Sequence, residues 1–217
     1  LIIANNVLAH VPNINDFTRG LTQLLKPSGV VTLEFPHLMK LIEFCQFDTV
    51  YHEHFSYLSA LTVSKIFERA GLRIFDIEEL PTHGGSLRVF GCHSKAPFLL
   101  TNKAKAVFKK EYESGIDNIN FYGSFQSRTD IIKNDFLDFL INAKRNQKAV
   151  AAYGAAAKGT TLLNYAGIKT DLLPFICDAA PSKQGKFTPG SHIPILEPFE
   201  LNKRSLDYLI ILPWNIA

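Results

Sequence analysis

Short apolar runs that end in polar turns, alternating with stretches of helical periodicity, constrain this chain more than any other feature. The runs lie at 1–5, 30–35, 149–153 and 206–212. The run at 30–35, Val-Val-Thr-Leu-Glu-Phe, is nearly all apolar, which suits a strand buried on both faces of a parallel sheet. Between the first two runs a helix is expected over 14–25, with Leu21, Leu24 and Leu25 on one side, stopped by Lys26-Pro27-Ser28-Gly29. Ser59 is placed to cap a helix over 60–70 that Gly71 ends, and 72–77 and 86–92 read as further strands. Over 97–147 the pattern is helical and charged, and Phe125, Ile132, Phe136, Phe139 and Ala143 form a packing stripe. Strands at 172–177, 193–196 and 206–212 and a helix over 160–166 complete a second alternation. The fold class is α/β, with a doubly wound second half. The expected division is 1–96, a helical connection over 97–147, and 148–217.

Tyr51-His52-Glu53-His54-Phe55-Ser56-Tyr57 is the segment most suggestive of chemistry. Several side chains that exchange protons or donate hydrogen bonds stand together between apolar runs. A core does not take His-Glu-His without partners, because buried polar groups cost free energy unless satisfied. General acid/base chemistry is the natural use. One His-x-His supplies too few ligands for a metal, and no cysteine obviously completes the set. His10 follows the first strand and the pair Asn5-Asn6, at the end of a sheet strand where open α/β folds place ligands.

Three other stretches carry chemical potential. Gly154, Ala156 and Gly159 occupy the positions of G-x-G-x-x-G, with alanine in place of the middle glycine, and Lys158 adds a cation at the start of a helix. A phosphate site and a tight strand-to-helix turn both explain these residues. Lys183-Gln184-Gly185-Lys186 and the following Thr188-Pro189-Gly190-Ser191-His192 form a polar loop after a strand, suited to a diphosphate or simply solvated. His83-Gly84-Gly85-Ser86-Leu87-Arg88 pairs two glycines with a histidine and with a guanidinium fork for a phosphate or carboxylate. A nicotinamide-dependent oxidoreductase or epimerase built on the second half, with Asp178 on the ribose, is the rival enzymatic reading; a non-catalytic nucleotide or partner scaffold is the other.

With 23 Lys and Arg against 20 Asp and Glu the formal charge is +3, too small to argue for nucleic acid, and no arginine-rich run supports it. No apolar stretch is long enough to span a bilayer, so no membrane partner is expected. Cys45, Cys92 and Cys177 are odd in number and far apart, which suggests reduced thiols in a cytoplasmic protein. Leu1 is not an initiator, and 1–4 reads as the middle of a strand, so the chain is expected to be an internal piece of a longer protein. The pattern fixes no oligomeric state.

Asn5-Asn6-Val7-Leu8-Ala9-His10-Val11-Pro12, Leu24-Leu25-Lys26-Pro27-Ser28-Gly29 and Glu34-Phe35-Pro36 resemble the later part of a class I S-adenosylmethionine methyltransferase. The heptapeptide, Thr82-His83-Gly84-Gly85-Ser86-Leu87-Arg88, Gly154-Ala155-Ala156-Ala157-Lys158-Gly159 and Pro189-Gly190-Ser191-His192-Ile193-Pro194 narrow the resemblance to sugar C-methyltransferases acting at carbon 3 of nucleotide-linked 4-keto-deoxysugars. It implies the C-terminal part of a class I methyltransferase fold followed by a Rossmann-like domain. It implies S-adenosylmethionine as cofactor, a nucleotide-linked sugar as substrate, and zinc only in an N-terminal module outside this chain. It carries the base role to His54, beside Tyr51, Glu53 and His10. His37, His83, Gly84, Ser86, Arg88, Lys158 and Lys183 are the substrate candidates, and Asn5, Asn6 and Val7 the cofactor candidates.

Overall fold

The computed structural model describes residues 1–216 and divides into two compact units. The first holds 1–46 and 52–125, and the second 47–51 and 126–217. The segment Phe47–Tyr51 therefore belongs to the second unit although both its flanks belong to the first.

In the first unit, β1 (Ile2–Asn5) runs parallel to β2 (Val31–Pro36), and the hairpin of β3 (Leu72–Leu80) and β4 (Ser86–His93) packs antiparallel on the other side of β2. The strand order is β1-β2-β4-β3. Val31 to Phe35 are all buried, as the apolar run requires, but the sheet is mixed rather than wholly parallel. The reversed hairpin fits the closing strands of a class I methyltransferase sheet. Around it stand α1 (Ile14–Leu24), α2 (Leu38–Glu43), α3 (Ala60–Arg69) and α4 (Asn102–Ser114). Asn13 caps α1 by accepting the Asp16 N–H, and Ser59 caps α3 by accepting the Thr62 N–H. Leu8, Leu33, Phe35, Val63, Phe67 and Leu87 lie in one apolar cluster that unites sheet and helices.

One buried carboxylate organises this unit. Glu111 of α4 is fully buried; its Oε1 accepts from His37 Nε2 at 2.8 Å and from the Ala60 N–H at 2.7 Å, while Oε2 accepts from the Leu61 N–H at 2.8 Å. It thus satisfies two of the unpaired N–H groups at the start of α3, where the helix dipole also favours a negative charge.

In the second unit, β5 (Val150–Tyr153), β6 (Ile176–Cys177), β7 (Ile195–Leu196) and β8 (Tyr208–Ile211) form a wholly parallel sheet of order β7-β6-β5-β8. With β5 counted first this is 3-2-1-4, the order of a Rossmann half-sheet. The strands expected at 172–177 and 193–196 shrink to two residues each because Pro174 and Pro194 have no N–H to give. α5 (Phe125–Arg145) buries Thr129, Leu140 and Ala143, so the expected stripe is displaced: Ile132 and Phe139 are each 38% exposed. The stretch 97–147 is shared, α4 standing in the first unit and α5 from Gln126 onward in the second. α6 (Ala157–Tyr165) begins three residues before the expected 160, which places Lys158 in its first turn.

No helix among the described residues is long and apolar enough to cross a membrane. Cys45, Cys92 and Cys177 are buried free thiols.

Replacing Glu111 by Ala strands three donors and should cost about 3–5 kcal/mol of stability. Denaturant melts of the variant and the parent measure this. A loss below the level of an ordinary surface substitution would show that the carboxylate is not the organising group.

Candidate functional site

The carboxyl ends of β1 and β2 gather most of the chemically interesting residues of the first unit. β1 stops at Asn5, and Asn6 turns the chain in the left-handed region at φ 54°, its N–H held by the Glu34 carbonyl at 2.8 Å. Asn5, Asn6 and Val7 are all exposed. A short 3-10 turn, Leu8–His10, follows and anchors Leu8 in the core.

The heptapeptide is stitched to this turn from both sides. The Ala9 carbonyl accepts the N–H of Phe55 at 2.9 Å and of Ser56 at 3.2 Å. In return His10 Nδ1 lies 2.9 Å from the Glu53 carbonyl. A carbonyl can only accept, so Nδ1 carries the hydrogen, and the lone pair of the neutral ring sits on Nε2. The His54 ring centroid is 4.7 Å from that of His10 and 6.1 Å from that of Tyr57, edge to face with the latter. The structure therefore brings His10, His54 and Glu53 together as the sequence suggests, and adds Tyr57. Glu53 acts on His10 through its main chain; its side chain is exposed. His52 is exposed, and Tyr51 lies with the second unit.

The loop after β3 closes on the same strand ends. Asn6 Nδ2 donates to His83 Nε2 at 3.3 Å, and Gln46 Nε2 donates to the Gly84 carbonyl at 2.7 Å. Thr82 Oγ1 donates to Glu34 Oε1 at 3.1 Å, while Arg88 Nη2 meets Glu34 Oε2 at 2.8 Å and Arg88 Nη1 meets Glu78 Oε2 at 3.3 Å. Arg88 is the register partner of Glu34 on β2 and of Glu78 on β3.

Three of the substrate candidates are engaged within the unit. Arg88 spends its fork on a cross-strand ladder, which the shared register dictates. Ser86 is 2% exposed and donates to the Thr82 carbonyl. His37 is likewise 2% exposed and is spent on Glu111.

In the second unit the Gly-rich turn is closed by protein rather than left open for a ligand. A Cβ on Gly154 would meet Pro213 Cδ at 2.4 Å, and one on Gly159 would meet Leu212 Cβ at 2.8 Å. The glycines are thus explained by the close passage of the chain after β8. Asp178 is 7% exposed and also spent: Oδ2 accepts from the Ala155 N–H at 2.7 Å and Lys183 Nζ at 3.1 Å, and Oδ1 from the Ala180 N–H at 2.8 Å. Burial pushes its carboxyl up, but the Ala180 N–H, Lys183 and the Ala155 N–H outweigh burial and hold it below the usual range. Three of the roughly four acceptor sites of the Asp178 carboxylate are thus taken by the protein, which counts against a ribose-binding role. Lys158, another substrate candidate, is placed inside the unit. Its Nζ is sealed from solvent, makes no hydrogen bond among the described residues, and lies 4.7 Å from the centre of the Trp214 ring. Lys183 remains partly exposed beside Asp178.

No group of three His, Cys, Asp or Glu side chains among the described residues is arranged to hold a metal ion.

Comparison with known proteins decides the family. The family described as C-methyltransferase C-terminal domain matches residues 81–217, and a methyltransferase domain matches 1–77. C-methyltransferase NovU of Streptomyces niveus is 35% identical over 217 residues, which is all of this chain and 52% of that protein.

The chain belongs to the C-methyltransferase family.

It spans about half the length of that curated relative. Within the family frame, the methyltransferase match contains Asn5 to Val7, His10 and the whole heptapeptide, and the C-terminal match contains His83, Lys158 and Lys183. Sequence reasoning missed Glu34, Asp48, Glu111 and Trp214, whose partners are distant in sequence. An acidic residue inside an apolar strand was the available signal for Glu34.

Asp178 generates a pH prediction for this chain. Its folded carboxyl is depressed, so its charge stabilises the fold above the ordinary carboxylate range, and that stabilisation is lost as pH falls through the depressed value. Asp178→Asn should cost about 1–3 kcal/mol near neutral pH, and the deficit against the parent should narrow in acid. Melts over a pH series measure it, and a deficit equal at every pH would contradict the assignment.

Proposed function

We propose that this chain carries the proton-abstracting part of an S-adenosylmethionine-dependent C-methyltransferase acting on a nucleotide-diphosphate-linked keto-deoxysugar. The observation that carries the reading is the pairing of His54 with a second imidazole whose tautomer is fixed by a backbone carbonyl.

A carbon alpha to a ketone gives up its proton only to a placed base and only if the enolate is stabilised. His54 is that base. An imidazole exchanges protons near neutral pH, which suits it to take the hydrogen and release it afterwards. His10, with Nδ1–H committed to the Glu53 carbonyl, directs Nε2 as its exchanging nitrogen and serves as a donor when protonated. Tyr51, three positions before His54, donates its O–H to the developing enolate oxygen. The carbanion would then take the methyl group supplied by the cofactor, the methyl–sulfur bond breaking with its electron pair leaving on sulfur, and this chain's part in that step is placement.

Asn5 and Asn6, with exposed amide-bearing side chains at the carboxyl end of a parallel strand, and Val7 beside them would hold part of S-adenosylmethionine, which supplies the methyl group. The donor set suits hydroxyl and amino groups of such a molecule. His83 and Gly84 line the same strand ends on the substrate side. For the nucleotide diphosphate, the second unit offers Lys183, partly exposed in the loop after β6. A cytoplasmic setting, where such sugars are built, fits the reading.

In the whole enzyme, His54→Asn should abolish most methyl transfer to a nucleotide-linked 4-keto-deoxysugar while the binding of S-adenosylmethionine, measured by calorimetry, persists. Near-normal turnover by that variant would remove His54 as the base. Tyr51→Phe should lower kcat about 10²-fold as the loss of one oxyanion donor. An unchanged rate would place Tyr51 outside the chemistry.

A further inference from the structure

The segment just ahead of the heptapeptide holds a buried charge that the mechanism above leaves unused. Asp48 lies in the 3-10 turn Phe47–Thr49 and is 7% exposed. Its Oδ2 accepts the indole N–H of Trp214 at 2.6 Å. Lys158 is close enough to act on it by charge: burial pushes the Asp48 carboxyl up, and the Trp214 hydrogen bond and the Lys158 ammonium oppose that rise. Burial in turn lowers the Lys158 ammonium, and Asp48 opposes that shift. The ammonium rests on the Trp214 ring, so the same indole donates its N–H to the carboxylate and offers its face to the cation. Beside them the Phe47 ring packs 5.3 Å from that of Tyr165 on α6. All five side chains belong to the second unit.

The backbone carries this anchoring forward. The Val50 N–H donates to the Phe47 carbonyl at 2.9 Å, and the Tyr51 N–H donates to the Thr49 carbonyl at 3.2 Å. These two bonds tie 47–51 into one turn. Apolar packing through Phe47 alone would hold the turn against α6. A carboxylate pinned by one directed N–H also fixes its rotation, because hydrogen bonds weaken steeply off axis.

We propose that Asp48 is a positioning residue for Tyr51: its carboxylate, bonded by the Trp214 indole on whose face the Lys158 ammonium rests, sets the aim of the backbone from which the tyrosine projects. This deepens the reading of Tyr51 as enolate donor and rests on it. Lys158 then serves the reaction through Asp48, as the compensating charge of a buried anion, and its sealed ammonium is accounted for.

The test is a double-mutant cycle in the whole enzyme, with kcat and KM for methyl transfer measured beside melting temperature. Asp48→Asn in the parent should lower kcat about 10- to 100-fold with little change in KM, as expected when a reacting group is misaimed. In the Tyr51→Phe background the same substitution should add no further loss. Trp214→Phe, which keeps an aromatic face and removes the N–H, should reproduce the pattern and serves if Asp48→Asn fails to fold. Equal losses from Asp48→Asn and Trp214→Phe with and without the tyrosine hydroxyl would overturn the positioning role, as would losses that follow melting temperature alone. If Tyr51→Phe itself costs nothing, the enolate-donor reading fails instead, so the two failures are distinguishable.

Discussion

The Ala9 carbonyl, gripped by the N–H groups of Phe55 and Ser56, is the contact on which the proposed chemistry depends. With the return bond from His10 to the Glu53 carbonyl it forms a reciprocal clasp between the turn after β1 and the heptapeptide. Neither segment has regular strand or long-helix structure to stiffen it, so the clasp takes the place of a ladder. It sets one imidazole beside another and fixes which nitrogen of His10 carries hydrogen. A base must be held within hydrogen-bond reach of the proton it abstracts, and here the main chain supplies the holding.

Buried carboxylates repeat this logic elsewhere. Glu111 gathers His37 and two N–H groups at the start of α3, and Asp178 gathers two N–H groups of loops at the ends of β5 and β6. Asp48 takes the indole N–H of Trp214. Each places negative charge where backbone or side-chain donors would otherwise be orphaned, and unsatisfied buried donors are costly. The two units thus rest on charged nodes as well as on their apolar clusters.

The elements were legible where an apolar run met a definite stop. Ser59, Gly71 and the Pro27 to Gly29 stop mark boundaries that the structure keeps within a residue or two. The strands near Pro174 and Pro194 were read too long, since a missing N–H shortens a ladder that burial alone would prolong. The heptapeptide stood out because proton-carrying side chains between apolar runs need an explanation. The fates of Arg88, His37 and Lys158 were not legible, because each depends on a partner the local pattern does not reveal. Arg88 meets Glu34 and Glu78 only once the sheet register is set. His37 meets Glu111 across 74 positions, and Asp48 meets Trp214 across 166.

Solvent deuterium entering the carbon alpha to the ketone isolates proton abstraction from everything that follows it. With the whole enzyme in D2O and a nucleotide-linked 4-keto-deoxysugar, the parent should wash deuterium into that carbon, and the His54→Asn protein, still folded, should do so at no more than the uncatalysed rate. Exchange by the His54→Asn protein at the parent's rate would contradict the assignment of that imidazole as the base.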